Sequence, residues 1–168
     1  MKILQKLLPI ILLITATIVN AQEEKKILYY DINADGMEQL DDAVSQAAKE
    51  NKNIMLVIGG DWCPWCRRLN KYINDSTEVK KFIQDNYVYV KINYSKENKN
   101  LPLMKRLELP QRFGFPVIVI LDKYGERIHT QDSGLLEKNK SYDPRKLYGF
   151  LRNWTISAMD IESYKDYK

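Results

Sequence analysis

Cys63 and Cys66 are the two cysteines in a chain of 168 residues, and both fall in the run Trp62-Cys63-Pro64-Trp65-Cys66. An apolar stretch, Ile54–Ile58, precedes the run, and a pattern of helical spacing follows at once. Two thiols at a strand-to-helix junction suit disulfide exchange. The thiolate is the attacking species, and the free N–H groups of a helix start stabilise negative charge. Pro64 falls where the first helical turn begins, a position at which a missing N–H costs nothing. A spacing of three puts both sulfurs on one helix face, within reach of ring closure. The reading places Cys63 at an exposed tip as the attacking sulfur and Cys66 one turn in as the resolving one.

The elements that position this pair can be read outward from it. Cys66, Leu69 and Ile73 extend an apolar stripe along the following helix. Asp75 and Glu78 resemble a capping box that opens a second short helix through Val79, Phe82 and Ile83. Upstream, Met37, Leu40, Val44 and Ala47 predict an amphipathic helix over 36–51, and residues 27–32 alternate weakly enough to suggest a short edge strand. Downstream, Tyr87–Asn93 alternates between two faces and predicts a strand. A short helix is expected over 103–107, ending before Pro110, and Val117–Leu121 reads as a central β-branched strand. The turn Asp122-Lys123-Tyr124-Gly125 predicts an antiparallel return over 127–130. Asp143-Pro144 is an N-cap followed by proline, opening a C-terminal helix on Leu147, Phe150, Leu151 and Trp154. Early strand–helix alternation argues for parallel pairing through crossovers, and the late hairpin adds an antiparallel edge. The expected fold class is therefore α/β, a three-layer domain with a mixed central sheet.

Lys2 and Lys6 followed by the apolar run Leu7–Val19 and a small residue at Ala21 predict a cleaved signal peptide over 1–21. The run is shorter than the ~20 residues of a membrane span, so no stable membrane insertion is expected after its removal. Residues 22–168 are then expected to form a single domain with a polar tail at about 160–168. The chain carries 26 basic and 22 acidic side chains. Two of the basic ones lie in the leader, leaving a balance too mild to argue for nucleic acid.

With those residues in view, the chain resembles the thioredoxin superfamily, in its exported thiol–disulfide interchange branch. Asp61-Trp62-Cys63-Pro64-Trp65-Cys66-Arg67 carries the likeness, together with Phe113-Gly114-Phe115-Pro116-Val117 before the apolar strand. The likeness covers most of 27–157. It implies a three-layer thioredoxin fold and a cis peptide bond before Pro116. Cys63 and Cys66 are implied as catalytic residues. Trp62, Pro64, Trp65, Phe115 and Pro116 are implied as the substrate-binding rim, with Phe115 offering backbone groups to an extended peptide. The implied activity is protein-disulfide oxidoreduction with no cofactor. Protein thiols or disulfides are its substrates, and a further redox partner recharges the dithiol. Such a protein is periplasmic or secreted. The chain departs from the family at Val57, where a buried carboxylate often serves the resolving cysteine; water, Asp61 or another group must take that part.

Two other readings compete at the cysteines. In one, they form a static disulfide in a peptide-binding or chaperone-like module. In the other, they bind a metal, but structural zinc takes four ligands and His129 is the only histidine, so four thiolates would have to be shared across a dimer. Arg67 and Arg68 are candidates to lower the Cys63 pKa by charge. His129 reads as a hairpin residue without catalytic duty.

Overall fold

The computed structural model describes residues 28–166. The expected signal peptide lies outside them. Helix α1 (Gly36–Glu50) leads into strand β1 (Asn53–Gly59), followed by α2 (Pro64–Asp75), α3 (Thr77–Asn86) and β2 (Tyr87–Asn93). Then come α4 (Leu101–Arg106), β3 (Val117–Leu121), β4 (Arg127–Asp132), a two-stranded ribbon β5 (Glu137–Lys138) and β6 (Ser141–Tyr142), and helices α5 (Pro144–Asn153) and α6 (Ile156–Met159). The main sheet has the order β2-β1-β3-β4. β1 pairs parallel with β2 and antiparallel with β3, and β3 pairs antiparallel with β4.

Period-two alternation splits the sheet's side chains between two cores. Ile54, Leu56 and Ile58 of β1 face Leu40, Ala43 and Ala47 of α1 and Leu103 and Met104 of α4. Met55 and Val57 face the opposite layer, where Leu69 and Ile73 of α2, Ile83 of α3 and Leu147 and Leu151 of α5 pack. Every residue of β1 is buried, as expected for a strand covered on both faces. Each fully buried leucine or isoleucine in these layers contributes about 1.5–3 kcal/mol relative to exposure. This three-layer α/β arrangement with a mixed sheet is the thioredoxin fold.

Two local expectations are corrected. Residues 28–32 form no strand; the segment instead lies against the site, with the Tyr29 and Tyr30 amides donating to the Asp61 carboxylate. Backbone donors that a ladder would have satisfied are satisfied by one side chain. The cap of α3 is Ser76, not Asp75: the Ser76 hydroxyl accepts from the Val79 amide, while Asp75 forms an ion pair with Lys71 four residues earlier. Either polar residue could cap, and the (i, i+4) partner on α2 draws Asp75 away.

Candidate active site

The end of β1 delivers the chain to the cysteines. Gly59 and Gly60 are there because nothing larger fits. A Cβ at Gly59 would lie 2.5 Å from Cys66 Sγ, and one at Gly60 would lie 2.5 Å from the Trp62 indole nitrogen. The chain then turns through Asp61 and Trp62 so that Cys63 becomes the N-cap of α2, with Pro64 in the first turn.

Cys63 Sγ accepts the Cys66 amide at 3.1 Å. On its other side it donates to the Phe115 carbonyl at 3.5 Å. Both cysteines are free thiols. A hydrogen bond from the Cys66 thiol, together with the amides of Cys66 and Trp65 and the charge of Arg67, outweighs burial and lowers the Cys63 pKa to about 7. A thiol with a pKa of ~8.5 is about 3 % ionised at neutral pH; one at about 7 is about half ionised. The same hydrogen bond, seen from its donor, pushes the Cys66 pKa up, and burial adds to the rise. The two sulfurs are thus unlike: one held toward thiolate, the other held as thiol.

Cys63 does not sit at an exposed tip. It is 4 % exposed, and Cys66 is fully buried. The reason is that Tyr29, Trp65 and Phe115 pack against the cysteines, for which isolated motif geometry makes no allowance, and Phe115 is itself backed by further rings. The Trp62 ring meets Phe115 edge-on at 5.4 Å, and its Nε1 donates to the Tyr94 carbonyl at 2.7 Å. Tyr94 in turn packs on Phe115 at 4.9 Å. Each such ring pair contributes about 0.5–1.5 kcal/mol beyond its buried area. Trp62 is nevertheless 55 % exposed, so the cover presents an apolar outer surface.

The peptide Phe115–Pro116 is cis, as the resemblance implies. Pro116 is buried, Phe115 half-buried, and the Phe115 carbonyl touches the Cys63 sulfur. Trp65 packs against the cysteines and stands edge-on to Tyr142 at 5.8 Å, with the Arg68 guanidinium 4.6 Å from its ring centre. Pro64 is exposed at the head of α2. The expected site residues therefore meet around Cys63, with Trp62 and Phe115 in direct contact. Arg67 donates to the Asp61 carbonyl at 2.9 Å and acts on Cys63, whereas Arg68 serves Trp65. His129 stacks on Trp154 at 4.3 Å.

Val57 is in the sheet core, opposite Lys91 in the β1–β2 register. Burial lowers the Lys91 pKa, and the Asp61 charge opposes that shift. Asp61 itself is occupied by the Tyr29 and Tyr30 amides. Sequence reasoning missed Tyr30, Asn70, Tyr94 and Tyr142 as site residues. A polar Asn70 on the buried stripe of α2, one turn past Cys66, was the available signal.

Comparison with known proteins agrees with this geometry. A family model described as thioredoxin-like matches residues 35–123, which include β1, the cysteine run and the Phe115–Pro116 segment. The chain belongs to this thioredoxin-like family. It falls in the thiol–disulfide interchange branch of the superfamily. The disulfide bond reductase DsbH of Chlamydia pneumoniae is 28% identical over 93 residues, covering 52% of this chain and 56% of that protein. The thiol:disulfide interchange protein DsbD of Cronobacter sakazakii is 30% identical over 93 residues, covering 55% of this chain and 15% of that protein. The match thus spans about half of one curated relative and a small part of the other. A disulphide isomerase from Xylella fastidiosa superposes with a TM-score of 0.68 at 27% identity, covering 76% of this chain and 96% of that one. Among the described residues, no helix of this thioredoxin-like chain is long and apolar enough to cross a membrane.

Proposed function

We propose that this protein is an exported thiol–disulfide oxidoreductase acting on protein substrates through Cys63 and Cys66. The observation that carries the reading is the Cys63 sulfur capping α2, hydrogen-bonded to the Cys66 amide at 3.1 Å and held near a pKa of about 7. In the reducing direction, the Cys63 thiolate attacks one sulfur of a client disulfide. The client S–S bond breaks, a Cys63–client bond forms, and the released client thiolate takes a proton from water. Cys66 then loses its proton and attacks the Cys63 sulfur. The second client thiolate leaves and is protonated, and a Cys63–Cys66 disulfide remains. The client gains two electrons and the pair loses two. The kinship with a disulfide bond reductase supports this direction. A redox partner then returns the pair to dithiol.

The client approaches as an extended peptide over Trp62, Pro64, Trp65, Phe115 and Pro116. It displaces the Cys63 S–H from the Phe115 carbonyl and pairs with that backbone instead. Near-burial of Cys63 fits this role: the sulfur is uncovered by the peptide that reacts with it. The basic start and apolar run of residues 1–21 support export to the periplasm or beyond, with residues 22–168 as the mature domain.

Near-burial also favours a second reading, a peptide-binding module whose cysteines close into a static bridge. Insulin reduction with a thiol reductant separates the two. Catalysed precipitation that disappears in Cys63→Ser is the outcome expected of the enzyme. Equal client binding by wild type and variant, with no catalysis by either, belongs to the module.

A further inference from the structure

Resting on that reading, one step remains without a helper: Cys66 is fully buried and must still give up its proton. Behind it lies a line of polar groups that the cycle above does not use. The Tyr89 hydroxyl donates to Asn70 Oδ1 at 3.3 Å. The Asn70 amide nitrogen donates to the Tyr30 hydroxyl oxygen at 3.2 Å and to the Cys66 carbonyl at 2.9 Å. Tyr30 is 4 % exposed, Asn70 is 1 % exposed, and Tyr30, Cys63 and Cys66 form one buried cluster. A single point beside Gly59 lies 2.5 Å from Cys66 Sγ and 3.3 Å from the Tyr30 oxygen, so phenol and thiol crowd the same spot.

The direction of the line matters more than its existence. Asn70 occupies the Tyr30 oxygen as a donor, which leaves the phenol hydrogen to point elsewhere. What it faces is sulfur, and that contact, added to the larger one from the Gly60 amide, favours the Cys66 thiolate. Burial and the neighbouring Cys66 and Tyr89 keep the phenol protonated far above its ordinary range, so it donates throughout the working pH range. Each link donates toward the sulfur, and donors in series polarise one another.

We propose that Tyr30, backed by Asn70 and Tyr89, is the hydrogen-bond donor that stabilises the Cys66 thiolate during the resolving attack. The proton of Cys66 leaves through water to the departing client thiolate; Tyr30 keeps its own and stabilises the charge left behind. Asp61 contributes by holding the Tyr30 backbone amide at 3.1 Å, so the loop that bears the cysteines also positions the phenol. Cys63, Tyr30 and Tyr142 are the titratable groups that act on Cys66 here.

The test uses the full protein and a peptide disulfide, with acid quenching and mass spectrometry to follow the mixed disulfide from pH 6 to 9. Tyr30→Phe is expected to form the Cys63 mixed disulfide at close to the wild-type rate. It then resolves about tenfold more slowly at neutral pH, with the midpoint of the resolving step moved to higher pH. Tyr89→Phe, at the far end of the line, should slow the same step in the same direction by about twofold to threefold, and serves alone if Tyr30→Phe does not fold. Resolution in these variants with an unchanged rate and pH midpoint overturns the assignment of Tyr30. So does equal slowing of both steps, which marks a merely structural role. If wild type forms no mixed disulfide at all, the proposed function itself has failed.

Discussion

Helices α2 and α5 begin in the same way and end up with different purposes. Each has an extended N-cap residue followed by proline: Cys63 at φ −89°, ψ 117° and Asp143 at φ −78°, ψ 121°. Each side chain turns back to accept backbone amides, Cys66 for Cys63 and Arg145 and Lys146 for Asp143. In α5 the acceptor is a carboxylate, and those amides hold its pKa below the usual carboxylate range. Its charge is permanent at neutral pH. In α2 the acceptor is a thiol; the Cys66 thiol hydrogen bond, with the cap amides adding to it, brings its pKa down to about 7, within reach of ambient pH. The comparison teaches that a structural cap site becomes a reactive one when the capping atom titrates near ambient pH and can form a covalent bond.

The hardest test of that contrast is to keep the cap and remove the reactivity. Cys63→Ser retains a hydroxyl acceptor at the head of α2. It should lower insulin reduction to the uncatalysed background while circular dichroism and the melting temperature stay close to wild type. A large fall in melting temperature would mean the sulfur is chiefly structural.

Next in size is the pH dependence. Thiolate absorbance should show one ionisation near pH 7 from Cys63, with attack on a client accelerating as pH rises through that value and levelling above it. Cys66→Ala removes the donor with the largest influence and should return this ionisation toward the ordinary value of about 8.5. Arg67→Ala should move it less, because its charge is the weakest of the named causes. The reverse order would show that charge, not the sulfur–sulfur hydrogen bond, sets the reactivity.

Trp62→Ala tests what α5 lacks, an apolar surface over its cap. Loss of the exposed ring and its contact with Phe115 should reduce kcat/KM for a peptide disulfide by about tenfold, with little change in Cys63 ionisation. The smallest effect belongs to Asp143→Ala. Losing that cap should lower the melting temperature by roughly 3 °C and leave thiol reactivity unchanged.

Much of this arrangement was legible in the residues. The dithiol, the proline after each cap, the strand at 87–93 and the segment around Pro116 all announce themselves locally, through spacing and turn chemistry. What was not legible depends on contacts distant in sequence. Tyr29 and Tyr30 read as an alternating strand because nothing near them reveals that Asp61, more than thirty residues on, takes their amides. Cys63 reads as exposed because its cover includes Phe115 and Tyr29, both distant from it in sequence. Asp75 reads as the cap because nothing local shows that Lys71, one turn back on α2, pairs with it and leaves the cap to Ser76.

The tight fit at Gly59 also bears on how this protein ages. Sulfur damaged by peroxide must gain oxygen atoms, and on its Gly59 side the space beside Cys66 does not admit even a methyl group. Peroxide is therefore expected to oxidise Cys63, the sulfur held toward thiolate, before Cys66, which is fully buried and held as thiol.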